Sequence, residues 1–444
     1  MGQFLGDTNK AWYKACQISF QAFQMNRGFY TIMAAQFFSS LADNALLFVA
    51  IDLLINMKSP GWLTPLLKLS FTLFYVLLAA FVGAFADSMP KGKVMFISNM
   101  IKVVGCGLMF ANVHPLAAYA LVGFGAAVYS PAKYGILTEL LPAEKLVAAN
   151  GWVEGLTVAS IIFGTVLGGT LVSPHTSAFL LGFDFPIIDT GVDTPTEAAL
   201  CVVVGIYVLA AIFNLYIPDT GCRYEHQQHN PIKLVADFAS CYGLLWKDKL
   251  GQISLAVTTL FWGAAQTLQF IVLEWAKRSL HLSYEKATSL VGVVAIGVAL
   301  GAVLSVRFVS LRKSLSVIPM GIIMGFIVMS MIFVHWIQLA YPLLILVGML
   351  SGYFLVPMNA LLQHRGHVLM SAGHSIAVQN FNENLSILTM LAVYSLMLRA
   401  HLDLDAIIVL FGLFVSGTMF FVLRKHQANQ REHDSLSLIG ELKH

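Results

Sequence analysis

A chain of 444 residues that is 58% hydrophobic and only 11% charged is not a water-soluble globular domain. Its mean hydropathy of +0.76 places most of it in lipid. The net charge of +3 is too small to indicate a nucleic-acid partner, and none is expected.

Residues 1–28 carry Trp12, Tyr13, Ile18, Phe20 and Phe23 but lack the layout of a cleavable signal peptide. They predict a cytoplasmic segment lying at the membrane interface. Apolar runs of roughly 20 residues, the length a spanning helix needs, then recur along the chain. They predict spans at 29–55, 65–87, 93–112, 115–141, 148–172, 197–217, 252–275, 287–308, 315–335, 338–363, 372–398 and 403–424. These runs do not alternate apolar and polar residues as barrel strands would. The expected fold is therefore an all-α membrane protein, with twelve transmembrane helices in two six-helix bundles.

The longest polar interruption, Pro218 to Gly251, separates a bundle over 29–217 from one over 252–424. Within this linker, Ile232–Trp246 has an amphipathic pattern suited to a membrane face. Residues 425–444 read as a tail. Eighteen Lys and Arg residues fall on the side of the termini and linker against six on the other, which predicts that both termini are cytoplasmic. The loop with Asp184, Asp189, Asp193 and Glu197 has no basic residue and fits the outside.

The halves resemble each other weakly. "GAFAD" (Gly83–Asp87) ends the second span and "GAVLS" (Gly301–Ser305) the eighth, while "YSPAKYG" and "LVPMNAL" put Pro131 and Pro357 in the fourth and tenth. Such six-plus-six repeats build many transporters. Glycines four apart (Gly151 and Gly155, Gly164 and Gly168, Gly297 and Gly301, Gly348 and Gly352) allow close helix packing.

Polar residues inside the spans carry the functional signal, because each is costly in lipid unless it faces a polar interior. On the first span Gln36, Ser40, Asp43 and Asn44 share a face. The fourth span has Tyr129, Lys133 and Tyr134, and the fifth opens with Glu154. The seventh has Trp262, Gln266 and Gln269 at helical spacing. The eleventh groups Gln379, Asn380, Glu383 and Asn384 within two turns. Facing one cavity, these groups could bind a zwitterionic or phosphate-bearing molecule, with ammonium and amide donors on the phosphate and carboxylates on an amine. The plainer reading of each is an inter-helix hydrogen bond or a local ion pair.

Between the second and third spans, "GAFADSMPKGKV" offers a latch. Gly83 would permit close approach, Asp87 would pair with a base or helix end across the halves, and Lys91 and Lys93 would hold the cytoplasmic side. The competing reading is an ordinary basic loop. The five cysteines are scattered and read as free thiols. No metal-ligand spacing, phosphate-binding GK[ST] loop, nucleophile elbow or H-x-x-x-x-D motif is present. No cofactor and no enzymatic activity are expected.

The stretches "AAQFFSSLADNALLF", "FVGAFADSMPKGKVM", "YSPAKYGILTELL", "LFWGAAQTLQF", "VPMNALLQHRG" and "SIAVQNFNEN" cover most of residues 30–390. Here the chain resembles the bacterial lysophospholipid transporter family of the major facilitator superfamily. The resemblance implies movement of lysophosphatidylethanolamine and lysophosphatidylglycerol from the outer to the inner leaflet of the inner membrane. It also implies re-acylation there by a separate acyltransferase/acyl-carrier-protein synthetase. The transporter is expected to be a monomer. Asp43 matches the family's first-span Asp and Lys133 the Lys of its "PAKYG". The family's seventh-span Arg is replaced by Gln269, which leaves Lys133 or the substrate amine as the partners open to Asp43. Apart from the resemblance, a proton-coupled facilitator of a polar solute or drug, with Asp43 and Glu383 as carriers, remains the alternative.

Overall fold

The computed structural model describes residues 27–59, 63–173, 194–222, 230–282 and 284–432, with positions 176, 180, 224 and 439. The interfacial segment expected before Arg27 and the acidic residues Asp184, Asp189 and Asp193 lie outside the described residues.

Fourteen α-helices are described. The first half holds α1 (Arg27–Asn56), α2 (Leu63–Leu77), α3 (Ala79–Asp87), α4 (Lys91–Phe110), α5 (Pro115–Leu140), α6 (Leu146–Leu171) and α7 (Pro195–Leu215). The linker forms α8 (Pro231–Lys247). The second half holds α9 (Gly251–Arg278), α10 (Tyr284–Phe308), α11 (Ile318–Met329), α12 (Ile337–Leu369), α13 (Ala372–Arg399) and α14 (Leu404–Glu432). Among the described residues, eleven helical stretches are long and apolar enough to cross a membrane, α11 only together with the 3-10 turns that extend it to Leu311–Phe333, and α2 with α3 makes a twelfth, broken span. The chain is a multi-pass membrane protein.

Polar residues at the starts set where helices begin. Thr194 and Glu197 form a reciprocal capping box before α7, their side chains each accepting the other's backbone N–H. Asn230 caps α8 by accepting from the Ile232 N–H at 2.9 Å, and Pro231, which has no N–H to lose, takes the first helical position.

Three elements differ from the predicted spans. The span expected over 65–87 is bent by 67° at Leu78. No proline or glycine sits at the bend, so packing sets it. The Phe71 backbone lies against Gly123 of α5, whereas Gly83 lies against α13. Helix α12 runs on to Leu369, with Pro342 and Pro357 inside it. Helix α14 continues through the first residues of the expected tail to Glu432, because "RKHQANQRE" is built of helix formers. Its end is tied down by a Lys249–Glu432 ion pair and by Asn429 donating to the Lys249 carbonyl at 3.2 Å.

Glycine lets two helix pairs meet backbone to backbone. On α10 and α12, a Cβ at Gly301 or Gly348 would strike the carbonyl oxygen of Met349 or Val294. On α6, Gly164 and Gly168 receive Leu41, Asn44 and Ala45 of α1, the stretch that carries the polar face.

Candidate functional site

Asp43 lies 16 residues into α1, about 24 Å along it at ~1.5 Å per residue. Its partner is Lys102 of α4, whose Nζ donates to both carboxylate oxygens at 2.8 Å. The Tyr207 hydroxyl of α7 donates to Oδ1 at 2.7 Å. Lys102 also donates to Ser39 Oγ at 3.0 Å, and Ser39 donates to Asn99 Oδ1 at 2.8 Å. The ammonium stands 5.1 Å from the Tyr129 ring centroid and 5.4 Å from that of Tyr207. Neither Lys133 nor an open position for an amine is what Asp43 meets. Lys102 is not among the residues singled out from the sequence, although a lone Lys in the middle of "SNMIKVVGCG" demands a partner by the same logic as Asp43.

This pair forms part of the wall of a cavity of about 350 Å³. Of the sequence candidates, Gln36, Ser40, Asp43, Asn44, Tyr129, Lys133 and Gln266 line it. Lys68, Phe71, Thr72 and Tyr75 of α2, which sequence reasoning did not single out, line it as well. Gln36 is fixed by donating to Thr157 Oγ1 of α6 at 3.1 Å, and Asn44 donates to the Ser40 carbonyl at 2.8 Å. The buried Tyr129 hydroxyl and Gln36 Oε1 have no hydrogen-bond partner among the described residues. Lys133 stands over the Tyr134 ring at 4.1 Å. It makes no hydrogen bond or ion pair among the described residues, although Glu154 and Glu383 act on it electrostatically.

The other candidates do not line the cavity. Glu154 and Glu383 are buried. Gln379 donates to Glu383 Oε1 at 2.7 Å and to Asn359 Oδ1 at 3.1 Å. Asn380 donates to Ser130 Oγ of α5 at 2.9 Å, a bond between the halves, and Asn384 donates to the Asn380 carbonyl. Trp262 packs edge-on against Phe261, and Gln269 is exposed.

At the linker end of the bundle, Asp87 closes α3 onto the start of α13. It accepts from Ser371 Oγ at 2.5 Å, from the Gly373 N–H at 3.0 Å and from the His374 N–H at 3.3 Å. His374 Nδ1 lies 3.0 Å away. A carboxylate here meets both free N–H groups and the positive end of the helix dipole. Gly83 allows the approach, since a Cβ on it would lie 3.0 Å from that of Ala377. Lys91 donates to Asp87 at 2.5 Å and sits 3.5 Å from Glu139, while Lys93 is exposed. Glu139 in turn accepts from Thr220 at 2.7 Å and Tyr224 at 2.9 Å, which pins the start of the linker. Burial and then the Glu139 carboxylate push the Tyr224 phenol up, so it stays a donor.

Two further polar contacts act at this end. Asn150 of α6 and Gln363 of α12 exchange side-chain hydrogen bonds at 2.8 and 2.9 Å across the halves. Arg365 grips Asp248 at 3.2 and 2.8 Å, and Asp248 caps α9 through the Gly251 N–H at 2.7 Å. The linker end is closed. The cavity lining extends away from that end, reaching Leu47 of α1 and Lys68 near the start of α2.

Two six-helix halves closed at one end around a polar cavity define a membrane transporter. The chain belongs to the major facilitator superfamily, whose sequence profile matches residues 29–388, and within it to the lysophospholipid transporter family. It is 39% identical over 376 residues to the lysophospholipid transporter LplT of Yersinia enterocolitica, covering 84% of this chain and 88% of that one. LplT of Yersinia pestis matches to the same extent. Among solved structures, the Escherichia coli fucose:proton symporter FucP superposes with a TM-score of 0.68 at 12% identity, over 90% of this chain and 98% of that one. A bacterial homologue of the iron transporter ferroportin gives 0.66 at 15% identity, over 91% and 100%. At these identities the two structures speak for the fold alone.

Proposed function

We propose that the protein moves lysophospholipids such as lysophosphatidylethanolamine and lysophosphatidylglycerol from the outer to the inner leaflet of the bacterial inner membrane. The termini are cytoplasmic and the transporter works as a monomer by alternating access, with the acyl tail entering laterally from lipid. A separate acyltransferase/acyl-carrier-protein synthetase then re-acylates the product.

One observation carries the chemistry: Lys133 faces the cavity with no hydrogen-bond or ion-pair acceptor among the described residues. An unpartnered ammonium in a restricted cavity is a receptor for a phosphate. The surrounding donors (Ser40, Asn44 and Gln266) suit glycerol and phosphate oxygens. The names of the relatives supply the acyl tail that the polar cavity itself does not specify. A single-tailed lipid can keep its chain in the bilayer while only the head group crosses through the polar interior.

The test is leaflet-resolved uptake of lysophospholipid by cells lacking the protein, complemented with wild type, Lys133→Gln or Asp43→Asn. Wild type restores inward movement and both variants lose most of it. Uptake that needs neither the protein nor Lys133 overturns the reading.

A further inference from the structure

Among the described residues, the charged lining of the cavity consists of three ammonium groups, Lys68, Lys102 and Lys133, and one carboxylate, Asp43. That carboxylate is occupied: Lys102 takes both oxygens at 2.8 Å, and Tyr207 adds a third donor at 2.7 Å. Glu154 and Glu383 do not line the cavity. Lys68 makes no hydrogen bond or ion pair among the described residues. It lies five residues into α2, about 8 Å from the helix start at the end away from the linker.

We infer that this protein selects lysolipids whose head group is a phosphodiester without an amine over zwitterionic ones, and that Lys68 at the cavity mouth sets this preference. The inference rests on the lysolipid reading above and names the head-group class within it.

An anionic head group entering the cavity meets two ammonium groups with no hydrogen-bond or ion-pair acceptor among the described residues, Lys68 at the mouth and, deeper, Lys133, which has only the Tyr134 ring beside it at 4.1 Å. A zwitterionic head group must bring its own ammonium into the same space. There, among the described lining residues, it finds no unoccupied carboxylate and two like charges, in surroundings where water screens less than outside. To capture that amine, Asp43 would have to release Lys102, which is 1% exposed and would be left buried without its counter-charge. Lysine suits the mouth because it is a flexible point charge that can follow a phosphate inward.

The experiment reconstitutes the full chain in proteoliposomes and follows radiolabelled lysophosphatidylglycerol and lysophosphatidylethanolamine by albumin back-extraction. Wild type moves the former about tenfold faster, the size expected of one added charge-assisted contact. Lys68→Gln brings the ratio of rates down to about two or below, while Lys68→Arg retains it. In the unmodified protein, about 1 M salt, where the screening length is ~3 Å, shrinks the ratio without any substitution. Equal rates in the wild type, or a ratio that Lys68→Gln and salt leave untouched, overturn this inference alone. Wild type that moves neither lipid overturns the proposed function together with it.

Discussion

Asp43 of α1 and Lys102 of α4 neutralise each other at mid-depth in the bundle, with the lysine Nζ 2.8 Å from both carboxylate oxygens. The lysine is almost fully buried and the carboxylate side chain is 20% exposed to the cavity. The pair therefore turns two charges that lipid would reject into one polar wall.

Removing one member alone should do more harm than removing both. Lys102→Met leaves Asp43 uncompensated, a loss of about 3–5 kcal/mol for a buried pair. The thermal unfolding midpoint in detergent should fall by several degrees. Combining it with Asp43→Asn should recover most of the loss. A single variant as stable as wild type would show that the pair carries no such energy.

The linker-end latch predicts a change of conformation rather than of fold. Asp87→Asn keeps a side chain of the same shape but removes the charge from the α13 N-terminus, Lys91 and Ser371. This weakens the closed linker end by about 1–3 kcal/mol. Single cysteines introduced on that face should become several-fold more reactive to a water-soluble maleimide, with the melting temperature little changed. Unaltered labelling would remove Asp87 from any gating role.

Two glycines should respond in opposite ways. Gly348→Val pushes a side chain into the Val294 carbonyl and should destabilise by about 1–3 kcal/mol or prevent assembly of α10 against α12. Gly155, on α6, has open space where a Cβ would stand. Gly155→Ala should be neutral or stabilising by about 0.5–1 kcal/mol, because alanine favours the helix. Thermal unfolding of the two variants side by side decides it.

For transport, Lys133→Gln should lower the rate by more than about tenfold, the value of a lost charge-assisted hydrogen bond to phosphate. Lys133→Arg should retain a measurable part of it. Equal rates for glutamine and arginine at this position would mean that the charge is not what the substrate meets.

Much of this architecture is legible in the residues. Hydropathy marks the spans because lipid excludes polar side chains from any run of about 20 residues. The amphipathic pattern from Ile232 marks α8 because one of its faces packs while the other does not. The Asp43 face of α1 is visible from spacing alone. What does not show is anything decided between distant elements. The bend at Leu78 comes from two different partners, α5 and α13, gripping the two parts of one apolar run. The partner of Asp43 sits 59 residues away on α4, where the one lysine in the middle of the helix looks unremarkable without its neighbour. The polar cluster of α13 reads as one binding group, yet Asn380 and Gln379 spend their donors on Ser130, Asn359 and Glu383. Residue type shows that a polar group needs a partner, and only packing shows which one it takes.

The anchoring of the linker also fixes a length. Tyr224 is held to the first half through Glu139. Six residues later Asn230 caps α8, which is fastened to the second half by Phe238 and Tyr242 against Phe381 and by Leu245 beside Leu255, Leu362 and Val378. At ~3.6 Å per residue, the chain between these two anchors can stretch to about 22 Å at most. On the proposed alternating-access cycle, the linker should act as a tether that limits how far the halves part at this end. Adding residues between Tyr224 and Asn230 should widen the opening, and shortening the segment should arrest it.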